Sequence, residues 1–232
     1  MKTQRGLGMI EVMVAMTIGL FLLLGVSQAF NTMRQTSLAT QQLSAVQNQQ
    51  RMAMYFLHVA VSGAGFNPDP ITRSTAVLYP ALGAFVAGQT LSGTGAGASA
   101  DTLSVRFTAS VGGAQQGCAA SLTAGDSYTD TFSFVGGFLQ CVETDNTVVG
   151  AVPATVSLVS GLAGMNVVYG VDSNGGGSVT QYLTATQVSA TGLWASVKTA
   201  QVTLLFANAL AGQPGQPQTV QLVETIPFMA NI

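Results

Sequence analysis

Residues 1–30 read MKTQRGLGMIEVMVAMTIGLFLLLGVSQAF and hold the most informative pattern of the sequence. A short leader containing Lys2 and Arg5 and no acidic residue precedes an apolar run that starts at Leu7. The run of about 20 residues would form a helix of about 30 Å, the thickness of a bilayer core. Basic residues at the leader favour an N-terminus inside the cytoplasm, with the chain beyond Phe30 outside. We therefore expect one N-terminal membrane helix.

The leader differs from a secretory signal peptide, in which small residues follow the apolar run. Here Gly6 precedes the run, so cleavage after Gly6 would remove both basic residues and keep the membrane helix. A single carboxylate, Glu11, interrupts the run. An intramembrane carboxylate is costly and usually has a partner, although near a helix end it can also reach the interface. Beside Gly6 and the basic leader, the pattern favours an assembly role for Glu11.

Residues 5–12, RGLGMIEV, resemble the prepilin motif of the type IV pilin superfamily. The resemblance implies that a prepilin peptidase cuts after Gly6 and that Leu7 becomes the methylated N-terminus. It also implies that Glu11 neutralises the terminal amine of a neighbouring subunit during assembly. Pairing a buried amine with a buried carboxylate offsets much of the desolvation cost of each. The sequence departs from the family at Leu7, where Phe is usual.

A helix is predicted from Leu7 to about Val61, because no proline occurs before Pro68. After Phe30 the sequence becomes polar and keeps one sparse apolar stripe with helical spacing. The stripe consists of Leu43, Val46, Ala53, Leu57 and Val61. We expect this face to dock a globular head, and the glycines and Asn-Pro that follow to end the helix.

Beyond Pro68 the sequence predicts short strands and turns. Alternating apolar residues predict a strand at 103–107, and a Gly-Gly turn predicts a hairpin within 132–141. A flexible low-complexity loop is predicted at 88–100. Further predicted strands are 167–171, 179–183, 197–207 and 219–229.

The predicted fold is α+β and pilin-like, with a long N-terminal helix and an antiparallel β-sheet head. One half of the helix lies in the membrane and the other half packs on the head. The predicted segments are a prepilin leader at 1–6, a transmembrane or filament-core helix at 7–30, an amphipathic half of the same helix at 31–66, and a β-rich head at 67–232.

Charged residues make up only 7% of the chain, against about 25% in typical domains. Such a surface suits packing against neighbours and is also a habit of extracellular proteins. Without Lys2 and Arg5, five basic side chains remain, and they are scattered singly. Strong nucleic-acid binding is therefore not expected, because it needs clustered Lys and Arg.

Cys118 and Cys141 have no CxxC spacing and no neighbouring histidine, which disfavours a metal site. A disulfide formed outside the cytoplasm explains them better than two buried thiols. The turn DSNGGG at 172–177 offers Asp172 and Asn174 as calcium ligands, but the glycines supply no further side-chain oxygen. A glycine-rich turn is the favoured interpretation, and no cofactor is predicted.

An enzyme is disfavoured, because the single histidine, His58, lies on the predicted stem and no GxSxG motif is present. The acidic residues of the head are interpreted as solvated loop charges, with a contact patch as the alternative. These residues are Asp101, Asp126, Asp130, Glu143 and Asp145.

Several head segments resemble the PilW family of minor pilins. They are residues 48–68, 102–107, 137–141 and 161–171, Trp194, and a C-terminal strand ending near Ile232. The resemblance implies a low-copy structural subunit that initiates or caps an extracellular pilus. The implied partners are major and minor pilin subunits, the prepilin peptidase and the inner-membrane assembly platform. The precursor would sit in the inner membrane before it enters the filament. The alternatives are a pseudopilin of a type II secretion system and a major filament subunit; motility, adhesion and DNA uptake are all compatible.

Overall fold

The computed structural model describes residues 8–97, 99–110, 116–119 and 122–228. The chain divides into two compact units, Met1–Ala45 and Val46–Ile232. Helix α1, Met9–Gly63, supplies the first unit and continues into the second. The predicted long helix is therefore confirmed, and it ends at the first of the predicted stop residues.

In the described residues, the second unit carries two antiparallel sheets. The strands are β1 Leu91–Thr94, β2 Thr102–Thr108, β3 Ser127–Val135, β4 Phe138–Asp145, β5 Ala154–Ser160, β6 Leu162–Val171, β7 Gln181–Thr184, β8 Val197–Ala207 and β9 Thr219–Pro227. The first sheet has the order β1-β2-β3-β4-β5 and the second the order β7-β6-β8-β9. Short helices are α2 Thr75–Leu78, α3 Ala185–Thr191 and a 3₁₀ turn at Leu193–Ser196.

The predicted α+β fold with an antiparallel head is confirmed. The described part of the head has two sheets, whereas the sequence predicted one. The predicted hairpin is present: β3 and β4 are joined by Gly136 and Gly137, both at positive φ, which suits a tight two-residue turn. The chain passes from the first sheet to the second at Gly161, also at positive φ. A one-residue link leaves little room to continue in the same sheet, so β6 starts the second.

Two local predictions differ from the structure. Residues 88–100 were predicted to be a flexible loop, yet β1 lies inside that range and pairs with β2. Leu91 explains the difference, because its side chain is buried in the core. Strand β5 was not predicted.

The core of the second unit lies between the last part of α1 and the two sheets. Ala53, Leu57 and Val61 are fully buried and share one apolar cluster with residues of both sheets. Val46 is half-buried against the same cluster. Three positions of the predicted stripe therefore form the centre of the helix–head contact.

Polar contacts of the same helix support this packing. The Gln49 side-chain amide donates to the Ser160 hydroxyl at 3.1 Å. His58 lies 3.8 Å from the carboxylate of Glu224 on β9. The single histidine thus contacts the head, in agreement with its predicted place on the stem.

Candidate functional site

The first part of α1 is an exposed apolar surface. Large apolar side chains from Met9 to Phe30 are exposed, and α1 is the one helix in the described ranges long and apolar enough to cross a membrane. Exposed apolar area of this extent requires lipid or protein around it. This helix is therefore the first candidate for a functional surface.

Glu11 lies in the first turn of this helix and is exposed. It is the sole charged residue between Gly8 and Met33. The helix starts with the Glu11 amide donating to the Gly8 carbonyl at 3.0 Å. The predicted cleavage residues Gly6 and Leu7 lie outside the described residues. The structure therefore shows the Glu11 carboxylate at the N-terminal end of an exposed apolar helix.

The two cysteines form a disulfide. Cys118 and Cys141 are bonded, with Cα atoms 6.3 Å apart, within the usual range for such bonds. Cys141 is fully buried on β4, whereas Cys118 is half-buried in the segment 116–119. The bond ties that segment to the first sheet.

A pair of buried acids lies behind the disulfide. Asp130 on β3 and Glu143 on β4 are directly opposite each other, and both are buried. The Cys118 amide donates to Asp130 at 3.1 Å, and the Ala119 amide donates to Glu143 at 3.2 Å. Burial, and then the negative charge of Glu143, raise the pKa of Asp130 to about 8. Asp130 is therefore protonated in the folded chain at neutral pH.

The interpretation of the head acids as solvated loop charges was wrong for three of them. Asp101, Asp130 and Glu143 are buried. Asp101 accepts a hydrogen bond from the Val167 amide at 3.0 Å, which links the β1–β2 connection to β6. Cross-strand pairing brings such acids together, and a sequence without strand register does not show it.

The sulfur atoms of the two cysteines and the carboxylate of Asp130 lie within 4.8 Å of one another. Each of these atom types can bind a metal ion. In the structure, however, the disulfide uses both sulfur atoms, so a thiolate site would require reduction first. The arrangement as it stands is a cross-linked segment with an acid pair beneath it.

The side-chain oxygens of the Asp172 turn accept hydrogen bonds from backbone amides of the same turn. The Asp172 carboxylate accepts hydrogen bonds from the amides of Gly176 at 3.1 Å and Gly177 at 2.8 Å. The Asn174 side-chain oxygen also accepts from the Gly176 amide, at 3.0 Å. The backbone hydrogen bonds that the Asp172 carboxylate accepts, led by that of Gly177, lower the pKa of Asp172. The turn thus satisfies Asp172 internally, and Asp172 and Asn174 remain candidate ligands from sequence alone.

Sequence reasoning also missed Arg106. Its neighbours on β2, Val105 and Phe107, belong to the alternating apolar pattern that predicted this strand, and that pattern assigned no role to Arg106. Arg106 is buried on the other face of the sheet. The covering residues come from a chain segment far from β2 in sequence, which local patterns do not predict.

Two family models match the chain. The model described as "Prokaryotic N-terminal methylation motif" matches residues 1–27. The model described as "Type IV Pilus-assembly protein W" (PilW) matches residues 133–227, which contain strands β4 to β9. No curated protein is a significant match. Among solved structures, a type IV-like pilin from Thermus thermophilus aligns over 81% of this chain and 98% of its own, at 11% identity and a TM-score of 0.45.

The methylation-motif match at the N-terminus and the PilW match in the head together support a protein of the type IV pilin kind. Within that class it is a type IV pilin-like protein with PilW features in the C-terminal part of its head. The resemblance found in the sequence is confirmed at this level.

Proposed function

We propose that the protein is a minor type IV pilin, a structural subunit that initiates or caps an extracellular pilus. The observation that carries the proposal is the exposed apolar helix with its single carboxylate at Glu11. A helix of this kind, attached to a β-rich head, supplies a filament core and an outward-facing surface. The PilW match favours a pilus over a secretion pseudopilus.

The match to the methylation motif supports a maturation step. In the proposed step the prepilin peptidase would cut after Gly6, and Leu7 would become the methylated terminus. The precursor would be held in the inner membrane by α1, with its N-terminus inside. The assembly platform would then move the subunit into the filament among major and minor pilins.

Glu11 would act in the assembly step. A free amine and a carboxylate are each costly to bury, and pairing them recovers much of that cost. The carboxylate of one subunit would therefore take the amine of another as its partner while the apolar helices pack together. The role is one of packing and not of catalysis.

Substituting Glu11 tests the proposal. In the Glu11→Val variant, membrane insertion and cleavage should stay normal, because an apolar residue suits the helix, while incorporation into filaments should fall. Glu11→Asp is the matched control, since it keeps the charge on a shorter side chain and should retain part of the incorporation. Quantitative immunoblots of sheared filaments and of membranes measure both steps. Normal incorporation of the Glu11→Val variant would remove Glu11 from assembly.

The copy number separates the minor from the major role. Quantitative mass spectrometry of sheared filaments should find this chain at trace levels beside a dominant pilin. If the chain were the dominant protein of the filament, it would be the major subunit. If it co-purified with secretion-system subunits and not with a pilus, it would be a pseudopilin.

A further inference from the structure

The segment from Phe66 to Thr90, called the strap here, covers the outer face of β2. Tyr79 in the middle of the strap is fully buried, and its hydroxyl donates to the Phe66 carbonyl. The Thr108 hydroxyl of β2 donates to the same phenol at 3.2 Å. The Arg106 amide donates to the Thr90 carbonyl at 2.7 Å. The Thr108 amide also donates to the Phe66 carbonyl, at 3.3 Å. The strap is therefore bonded to the sheet at its two ends and in its middle.

Arg106 lies beneath the strap and is 1% exposed. One terminal nitrogen of its guanidinium donates to the Pro80 carbonyl at 2.9 Å. The guanidinium carbon lies 5.4 Å from the ring centre of Tyr79 and 5.3 Å from that of Phe85. Its Nε is buried and has no hydrogen-bond partner among the described residues.

The positive charge of Arg106 has no acid beside it. The nine acidic side chains of the protein all lie in the described ranges, and the ion pair found there, His58–Glu224, does not involve Arg106. Burial lowers the pKa of Arg106, but an arginine remains protonated at neutral pH. Two aromatic rings offset part of the cost of burying this charge. They do not supply the acceptor that Nε lacks, and buried donors without acceptors are rare.

A cavity of about 280 Å³ opens beside Arg106. One wall is apolar and consists of strap residues that include Val77 and Leu82, and the other is polar and includes Asn146 and Thr147. The polar wall is already bonded to its neighbours: the Asn146 amide donates to the Thr129 hydroxyl at 2.9 Å. The charge of Arg106 is therefore the feature of the cavity that still needs a partner.

We propose that this cavity binds a small aliphatic carboxylate, whose carboxylate group pairs with Arg106 and whose hydrocarbon chain lies against Val77 and Leu82. Arginine binds carboxylates through paired hydrogen bonds, and such charge-assisted bonds are the strong ones in proteins. At about 30 Å³ per water, the cavity holds roughly nine waters, which fits an acid of four to six carbons. The site goes beyond the proposed role in the pilus and does not depend on it.

Titration calorimetry of the full chain in a non-ionic detergent tests the site, with 3-methylbutanoate as the probe. One equivalent should bind, and the uncharged 3-methylbutanamide, of the same shape, should bind at least tenfold more weakly. Equal affinity of the acid and the amide would overturn the proposal. The proposal would also be overturned if the acid did not bind at about 10 mM. That concentration is roughly tenfold above a Kd of ~1 mM, the weakest binding expected of such a charged pair.

Two variants locate the binding. Arg106→Gln should lose at least tenfold in affinity, but it also removes contacts that hold the strap. Val77→Trp therefore provides an independent test: Val77 is 71% exposed, so a larger side chain there should narrow the cavity without disturbing the core. Val223→Trp on β9, an exposed site on the second sheet, is the matched control. The Val77 variant should bind at least tenfold more weakly with an unchanged Tm, and equal affinity of the two tryptophan variants would refute the site.

Discussion

Replacing Asp130 by asparagine should remove most of the pH dependence of the head's stability between pH 5 and pH 8. The Asp130 carboxyl is buried opposite Glu143, and its pKa rises from 3.8 to about 8 on folding. The folded chain therefore holds a proton that the unfolded chain releases above about pH 4. Because the folded state binds more protons in this window, the free energy of unfolding falls as the pH rises. The contribution is complete below the unfolded pKa and is lost as the pH passes the folded one.

The magnitude follows from the two pKa values. Each unit of difference corresponds to about 1.4 kcal/mol. Between pH 5 and pH 8 the wild-type chain should lose roughly 3.5 kcal/mol through this one group. Asparagine has the shape of the neutral acid and can still accept the hydrogen bond from the Cys118 amide. The Asp130→Asn variant should therefore lack this loss and be more stable than the wild type at pH 8.

Urea unfolding of the full chain in a non-ionic detergent measures the effect, with the fluorescence of Trp194 as the probe. Trp194 is the single tryptophan and lies in the head, with its ring edge-on to Tyr169 at 4.9 Å. The difference in the free energy of unfolding between wild type and variant is compared at pH 5 and pH 8. Taking this difference cancels the contributions of all other titrating groups. Glu143→Gln is the control, since it removes the second cause of the shift and keeps the first, and should give a smaller pH dependence than the wild type. The same pH dependence in wild type and Asp130→Asn would show that Asp130 does not hold this proton.

Two further predictions concern the packing and the disulfide. The Cys118→Ala/Cys141→Ala variant should lose about 3 kcal/mol of its free energy of unfolding, measured in urea, because the bond closes a loop of about 24 residues. Reduced wild-type protein is the control: it lacks the cross-link but keeps both sulfur atoms, so it separates the effect of the cross-link from that of packing. If both thiols of the exported protein reacted with an alkylating agent before reduction, the bond would be absent in the cell. Leu57→Ala should cost about 2–5 kcal/mol, since Leu57 is fully buried between α1 and the sheets. Its control Tyr55→Ala, at an exposed position of the same helix, should cost far less, and similar losses in both variants would contradict the packing.

The long helix and much of the head could be predicted because they depend on local patterns. The absence of proline before Pro68 and the apolar spacing of Ala53, Leu57 and Val61 are sufficient for the helix and its buried face. The Gly136-Gly137 turn is sufficient for the hairpin, because the two flanking strands are adjacent in sequence. In each case the residues that determine the element lie within or beside it.

The division into two sheets and the buried charges could not be predicted in this way. Asp130 and Glu143 meet through the register of β3 and β4, and Arg106 is covered by a strap that includes Tyr79, 27 positions earlier. Sequence patterns treat a charged residue as exposed, and only tertiary structure shows what lies over it. Strand β5 pairs with β4 and was missed, although it carries Val156, Leu158 and Val159.

Intact-mass spectrometry of the membrane-extracted chain, with mapping of the N-terminal peptide, tests whether the chain is processed as a prepilin. We expect a chain that begins at Leu7 with a methylated amine, because the peptidase would remove residues 1–6. A chain that retains Met1 to Gly6 in cells with an active prepilin peptidase would contradict it. The protein would then be processed differently from a prepilin, and α1 would serve only as a membrane anchor.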